Sequence, residues 1–180
     1  MSAVTFHTQP SPLGDLLIAA TGEGVCLVEW GDHDAALDRL EHRYGRLRGG
    51  QRGARAAGRQ LDAYFSGARR SFDLPVDLSE ATGFCRSVLE LLSDLPFGEL
   101  TSYGELAREL ETAPRAVGGA VGSNPVPVIV PCHRVVAADG SLGGYGGGLH
   151  RKRILLALEG HELPGGWEPR RRVAPPLASV

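Results

Sequence analysis

One run constrains this chain more than any other. Pro125-Val126-Pro127-Val128-Ile129-Val130-Pro131 is followed at once by Cys132, His133 and Arg134. Val126 to Val130 is apolar and β-branched, broken only by Pro127, and reads as a short buried strand. It must stop at Pro131, which has no N–H to extend a ladder. A fold that buries this strand delivers a thiol to its mouth, beside an imidazole and a guanidinium. The thiolate, not the thiol, is the nucleophile, and nearby positive charge lowers a thiol's pKa. Most free cysteines are only small buried hydrophobes, so the reading of Cys132 depends on its company.

The chain's 180 residues are enough for one or two domains with a real core. Its 42% apolar and 22% charged residues are ordinary for a globular protein. The net charge of −2 gives no global basic signal, so any nucleic-acid binding must rest on a local patch. No stretch is apolar enough to span a bilayer. Residues 1–14 lack a basic region followed by an apolar core, so no signal peptide is expected there. Cys26, Cys85 and Cys132 make an odd count with no metal-ligand spacing. Free thiols in a reducing cytoplasm, no metal and no membrane contact are the expectation.

Leu16–Ala20 and Val25–Trp30 are apolar runs around the turn cluster Thr21-Gly22-Glu23-Gly24 and predict a hairpin. Ala36, Leu37, Leu40 and Tyr44 are spaced for an amphipathic helix from Asp34. Gly45 to Gly58 reads as a loop or frayed helix start, Leu61 to Phe65 as a helical turn, and Phe72 to Val76 as a further strand. Phe84, Val88, Leu91, Leu92 and Leu95 then repeat at helical spacing up to Pro96 and Gly98. Ser102 and Glu105 fit a capping box for a helix running to Leu110. Thr112 is the expected cap of the next helix, with Pro114 in its first turn and Ser123-Asn124-Pro125 ending it. The pair reads as helix-turn-helix. A glycine-rich loop, Gly140 to Gly148, precedes a last helix over Arg151–Glu159 with Ile154, Leu155 and Leu158 on one face. The expected architecture is α/β (α+β). A small N-terminal α/β domain covers 1–78, a mainly helical, winged-helix-like domain 79–162, and a flexible tail 163–180.

His133 neighbours Cys132, and adjacent side chains on a strand point to opposite faces, so a bridging water is the expected proton route. Glu159 falls in the last turn of a helix, where the macrodipole disfavours a carboxylate. It is either a solvated surface residue or the partner that orients His133, in the manner of other nucleophile–base–orienter sets. Arg115-Ala116-Val117-Gly118-Gly119-Ala120-Val121-Gly122 is unusually poor in side chains for a helix. It permits tight helix packing or close approach to DNA, with Arg115 as the one long cationic reach. Few of its side chains can read base edges in the major groove, which favours the minor groove. Arg134, Arg151, Lys152 and Arg153 form a basic neighbourhood that either holds phosphates or, for the last three, is a solvated face.

These residues together resemble the O6-alkylguanine-DNA alkyltransferases. LPFGELTSYGELA, RAVGGAVGSNP, PCHRVV, GGYGGG and LLALEG match the family's C-terminal domain in order and spacing. SPLGDLLIAATGEG and LDAYFSG extend the likeness more weakly into the first domain. The resemblance implies that Cys132 accepts the alkyl group, activated through a water by His133, with Glu159 orienting the imidazole. Asn124 would hold the turn before the active segment. Tyr103 would rotate the target phosphate or hydrogen-bond the base, and help protonate the departing guanine. Arg115 would fill the gap left by an extruded base, and Ala116, Gly119, Ser102, Arg134 and Arg151 would line the DNA. Tyr145, Gly146, Val130 and Pro131 would form the alkyl pocket. The implied partner is double-stranded DNA carrying O6-alkylguanine or O4-alkylthymine, flipped out of the stack and met in the minor groove by a monomer. No cofactor is implied, and each molecule would act once.

Three departures from the family pattern stand out. Val88-Leu89 replaces its usual Val-Trp pair, the connection Glu109–Pro114 is shortened, and Gly146 stands where many members carry Ser or Ala. The last predicts a wider pocket. Three alternatives are distinguishable by stoichiometry. A lesion-recognition protein would bind without transfer, although such members lack the acceptor cysteine. A cysteine hydrolase would turn over, and a helix-turn-helix regulator would show no covalent change.

Overall fold

The computed structural model describes residues 4–49 and 52–162, so the expected tail over 163–180 lies outside the described residues. Contacts divide the chain into two units. One comprises Met1–Glu80 and Pro125–Ile129, the other Ala81–Asn124 and Val130–Val180.

The first unit is built on a four-stranded sheet. Its strands are β1 (Val4–Gln9), β2 (Leu16–Ala20), β3 (Val25–Trp30) and β4 (Leu47–Gly49), in the order β3-β2-β1-β4. β2 pairs antiparallel with both neighbours, while β4 lies parallel to β1. All five residues of β2 are buried, which explains a continuous Leu-Leu-Ile-Ala-Ala run rather than an alternating one. Helix α1 (His33–Tyr44) is capped by Asp32, and its Leu40 packs with Val4, Ala19 and Cys26. Helix α2 (Arg52–Phe65) lies on β1 and β2. Of the two readings of Gly45–Gly58, a loop or a helix start, the second holds from Arg52 onward, and β4 was not expected. Gly58 is a packing feature: a Cβ there would strike the side-chain oxygen of Gln9, whose amide nitrogen donates to the Gly58 carbonyl (3.2 Å) and to Asp62 (2.7 Å). Strand β1 was invisible in the sequence pattern because Thr5, Phe6 and His7 are only half-buried and break the alternation. The strand expected over Phe72–Val76 reduces to one bridge between Val76 and Val25, since Pro75 cannot donate to a ladder.

The strand expected over Val126–Val130 does not form either. Val126, Val128 and Val130 are fully buried as anticipated, but Val128 has φ +75° and the segment turns. Prolines at 125, 127 and 131 remove the donors that a ladder needs.

The second unit is mainly helical. Helix α3 (Gly83–Ser93) buries Val88, Leu89 and Leu92. Strand β5 (Thr101–Ser102) leads into α4 (Tyr103–Glu109). The predicted capping box is present: the Ser102 hydroxyl accepts from the Glu105 N–H at 3.1 Å, and the Glu105 carboxylate accepts from the Ser102 N–H at 2.8 Å. Helix α5 (Pro114–Gly122) starts with proline at its first position, and its N-cap position is Ala113, which offers no side-chain cap, rather than Thr112. Thr112 is still tied back to α4, its N–H donating to the Ala107 carbonyl. α5 packs on α3 and α4, completing the helix-turn-helix. β6 (Val135–Val136) pairs parallel with β5, and α6 (Leu149–Leu158) closes the unit. Among the described residues no helix is long and apolar enough to cross a membrane.

Candidate active site

Cys132, His133 and Arg134 form one turn of 3-10 helix rather than the end of a strand. The Cys132 N–H donates to the Val130 carbonyl (2.8 Å) and the Arg134 N–H to that of Pro131 (3.0 Å). In such a turn successive side chains fan out at about 120° instead of alternating between two faces, and here all three point inward. Cys132 is 6% exposed, His133 0% and Arg134 5%. Burial pushes the Cys132 thiol up, opposed by the neighbouring polar side chains of Asn124 and Tyr145 and by the charge of Lys152. The Asn124 amide also donates to the Val130 carbonyl at 2.9 Å, which ties the end of α5 to the residue two before the thiol.

His133 Nε2 lies 2.8 Å from Glu159 Oε1, and both side chains are fully buried. The alternative of a surface Glu159 is thereby excluded. Burial holds His133 below the usual histidine range despite the carboxylate beside it. At Glu159 burial pushes the carboxyl up, but hydrogen bonds and charge from His133 and Arg134 outweigh it and leave the group well below the carboxylate range. The consistent state is a neutral imidazole beside an ionised carboxylate. A carboxylate only accepts, so Nε2 must carry the proton. Nδ1 is then the basic nitrogen. It is buried and has no hydrogen-bond partner among the described residues.

Arg134 corrects an expectation. Instead of reaching for phosphate, its guanidinium faces inward onto Glu159, with Nε at 2.9 Å from Oε2 and Nη2 at 2.9 Å from Oε1. Its Nη1 donates to the Leu95 carbonyl at 2.5 Å. Lys152 departs from the basic-neighbourhood reading in the same way. It is 0% exposed, and its Nζ donates to the carbonyls of Leu142, Val135 (2.6 Å) and Gly144 (3.3 Å). Burial pushes its pKa down to about 8, partly opposed by Cys132. The buried stripe of α6 is accordingly Lys152, Leu155 and Leu156, continued by Glu159, rather than Ile154, Leu155 and Leu158. The spacing i, i+3, i+4, i+7 was available in the sequence, but two charges on it concealed it.

The remaining expected residues lie around this centre or on the surface of the same unit. The Tyr103 hydroxyl donates to the Gly144 carbonyl at 3.3 Å, and burial together with Cys132 pushes its phenol up. Tyr145 is half-buried and Gly146 exposed in the same loop, while Val130 and Pro131 are buried immediately before the thiol. Arg115, Ala116 and Gly119 are all exposed on α5, and a Cβ at Gly119 would meet nothing within 4 Å. That face is open to close approach. Ser102 uses its hydroxyl as a helix cap, and Arg151 donates to the Gly147 carbonyl at 2.6 Å. Among the described residues no cluster of three or more His, Cys, Asp or Glu could hold a metal ion.

The arrangement is suited to covalent transfer onto sulfur: a shielded thiol, hydrogen-bond donors aimed at it, and an oriented imidazole. Comparison with known proteins agrees. Residues 83–161 match the family model described as 6-O-methylguanine DNA methyltransferase, DNA binding domain, and residues 4–78 that family's ribonuclease-like domain. The methylated-DNA–protein-cysteine methyltransferase of Haemophilus influenzae is 40% identical over 162 residues, 88% of each chain. That of Mycobacterium leprae is 43% identical over 163 residues, 87% of this chain and 93% of the relative. Among solved structures, Mycobacterium tuberculosis OGT in complex with DNA aligns with a TM-score of 0.73 at 40% identity, over 86% of this chain and 92% of that one.

Proposed function

The chain belongs to the 6-O-methylguanine DNA methyltransferase family, and we propose that it repairs DNA by moving an alkyl group from the O6 of guanine directly onto Sγ of Cys132. The observation that carries this reading is the buried His133–Glu159 pair, which leaves Nδ1 of the residue next to Cys132 as a base without a partner.

At rest the buried thiol is protonated and inert. Through a bridging water His133 Nδ1 takes the Sγ proton, and Glu159 stabilises the imidazolium that forms. The polar side chains of Asn124 and Tyr145 and the Lys152 cation favour the thiolate. Sγ then attacks the alkyl carbon, a carbon–sulfur bond forms and the carbon–O6 bond breaks. The electron pair returns to the guanine, which takes a proton from the neutral phenol of Tyr103. The product is a thioether that no group in the site can reverse, so each molecule acts once. The alkyl carbon passes straight from oxygen to sulfur with no carrier between them. O4-alkylthymine presents the same chemistry.

The alkylated base is buried in a duplex and must be extruded to reach Sγ. α5 presents Arg115, Ala116 and Gly119 for that contact, with Ser102 and Arg151 near the strand. A small-residue face carrying one arginine suits the minor groove, where Arg115 fills the stack. Tyr145, Gly146, Val130 and Pro131 wall the alkyl group. One chain supplies every group of the site, which fits a monomer, and three free cysteines fit a reducing cytoplasm.

Intact mass after incubation with duplex DNA carrying one O6-methylguanine tests the proposal. A gain of one methyl per chain in the wild type and none in Cys132→Ala is the expected result. Lesion binding with no gain would replace transfer by recognition alone.

A further inference from the structure

The motif Leu95-Pro96-Phe97-Gly98, part of the family resemblance, has no role in the transfer as described. In the fold it meets Arg134 and Glu159. The Leu95 carbonyl accepts from Arg134 Nη1, the Phe97 ring lies 6.0 Å from the guanidinium carbon, and the Gly98 N–H donates to Glu159 Oε2 at 3.0 Å. Gly98 has φ +77°, a conformation that disfavours any side chain, and a Cβ there would sit 3.4 Å from the Glu159 carbonyl. Four donors thus converge on one carboxylate: His133 Nε2, two nitrogens of Arg134 and the Gly98 amide. Each carboxylate oxygen is engaged by Arg134 and by one other donor.

From this geometry we infer that Arg134, anchored by the Leu95–Gly98 turn, is a positioning residue of the transfer reaction and not a DNA contact. The inference rests on the His133–Glu159 relay proposed above. A side-on guanidinium fixes both the charge and the plane of Glu159. With the carboxylate held anionic and unable to rotate, His133 has one tautomer left, the one with Nδ1 free. The same cation also opposes a positive charge on the imidazole. The charged and titratable groups facing the pair are Arg134 on the same turn, Lys152 on α6 and His161 just beyond it. The Leu95–Gly98 turn contributes only a carbonyl, a ring and an amide. Arg134 is therefore the group whose loss most changes the pair's proton affinity.

The experiment compares wild type, Arg134→Met and Arg134→Lys. Single-turnover transfer from O6-methylguanine duplex DNA is followed at saturating DNA from pH 5 to 9. Affinity for the same duplex is measured at several salt concentrations. Arg134→Met should slow transfer at pH 7 about tenfold or more and move the acid limb of the profile upward by about one pH unit. DNA affinity and its salt dependence should match the wild type. Arg134→Lys keeps the charge but loses the fork, so its limb should stay near that of the wild type while transfer is slower. An Arg134→Met limb that coincides with the wild type overturns the inference. So does a loss confined to affinity, with a salt slope reduced by about one, which marks a phosphate contact. Should Arg134→Met not fold, Arg134→Lys decides: wild-type transfer, or a reduced salt slope, refutes it. Absence of methyl transfer in the wild type would instead break the relay reading itself.

Discussion

Replacing Glu159 by glutamine changes one oxygen to nitrogen and almost no volume, yet it should cripple this protein. The carboxylate accepts from His133 Nε2 and Arg134 Nη2 at Oε1, and from Arg134 Nε and the Gly98 amide at Oε2. A carboxamide has one acceptor end. If its nitrogen takes the Oε2 place, it confronts two N–H donors. If it takes the Oε1 place, it confronts the Arg134 fork and drives His133 to the tautomer with the proton on Nδ1, which can no longer act as base. Either way Arg134 loses its counter-ion while remaining buried. Breaking such a pair by removing one partner costs about 3–5 kcal/mol. At about 2–4 °C per kcal/mol for a chain of this size, Tm should fall by roughly 6–20 °C. Transfer at saturating DNA should drop about 10²-fold or more, the usual worth of a positioned base. The penalty should also depend on pH. A carboxyl held below its unfolded value, about 4.3, contributes stability above that pH and loses it as the pH falls toward the folded value. Glutamine does not titrate, so the gap between wild type and Glu159→Gln should be widest near neutrality and narrow in acid. Thermal unfolding at pH 7, 4 and 3, with single-turnover kinetics at pH 7, would measure all of this. A variant within about 1 kcal/mol of wild type, transferring at the wild-type rate, would refute the reasoning.

Arg115→Ala, on an exposed helix face, should leave stability within about 0.5 kcal/mol while slowing transfer from duplex DNA about tenfold or more. Transfer from free O6-benzylguanine should change little, since no base then has to be extruded; equal losses on both substrates would sink the extrusion role. Lys152→Met leaves the two buried carbonyls of Val135 and Leu142 short of a donor and should cost about 2–4 kcal/mol in denaturant unfolding, against near zero for a solvated surface lysine. Gly146 is exposed, and a Cβ there would come no nearer than 3.8 Å to the Gly122 carbonyl. The absent side chain should let benzyl and methyl groups transfer at comparable rates; a strict methyl preference in a competition assay would contradict it.

Several local patterns were read correctly where bonds between near neighbours fixed the structure. The capping box at Ser102 and the hairpin of β2 and β3 depend on bonds between near neighbours in the chain, whereas the cap position expected at Thr112 falls to Ala113. Cys132 and its neighbour His133 stood out because their residue types are adjacent in an apolar context. At Glu159 the helix end left a solvated residue and a buried partner of His133 both open, and the fold decides for burial beside His133. The failures share a cause. Arg134 and Lys152 were read from charge as surface groups, because their burial depends on acceptors 25 residues away at Glu159, 39 away at Leu95, and 10 and 17 away at Leu142 and Val135. The Val126–Val130 run was apolar as a buried strand should be, but its prolines decided against a ladder.

By itself the sequence determined the family, most of the helices and the hairpin of β2 and β3, since these follow from residue type, spacing and bonds over a few residues. Only the tertiary structure decided which charges turn inward. A buried cation is tolerated only where distant carbonyls and carboxylates converge on it, and such convergence is a property of the fold and not of any segment. That is why the guanidinium written next to His133 turns inward onto the carboxylate of Glu159.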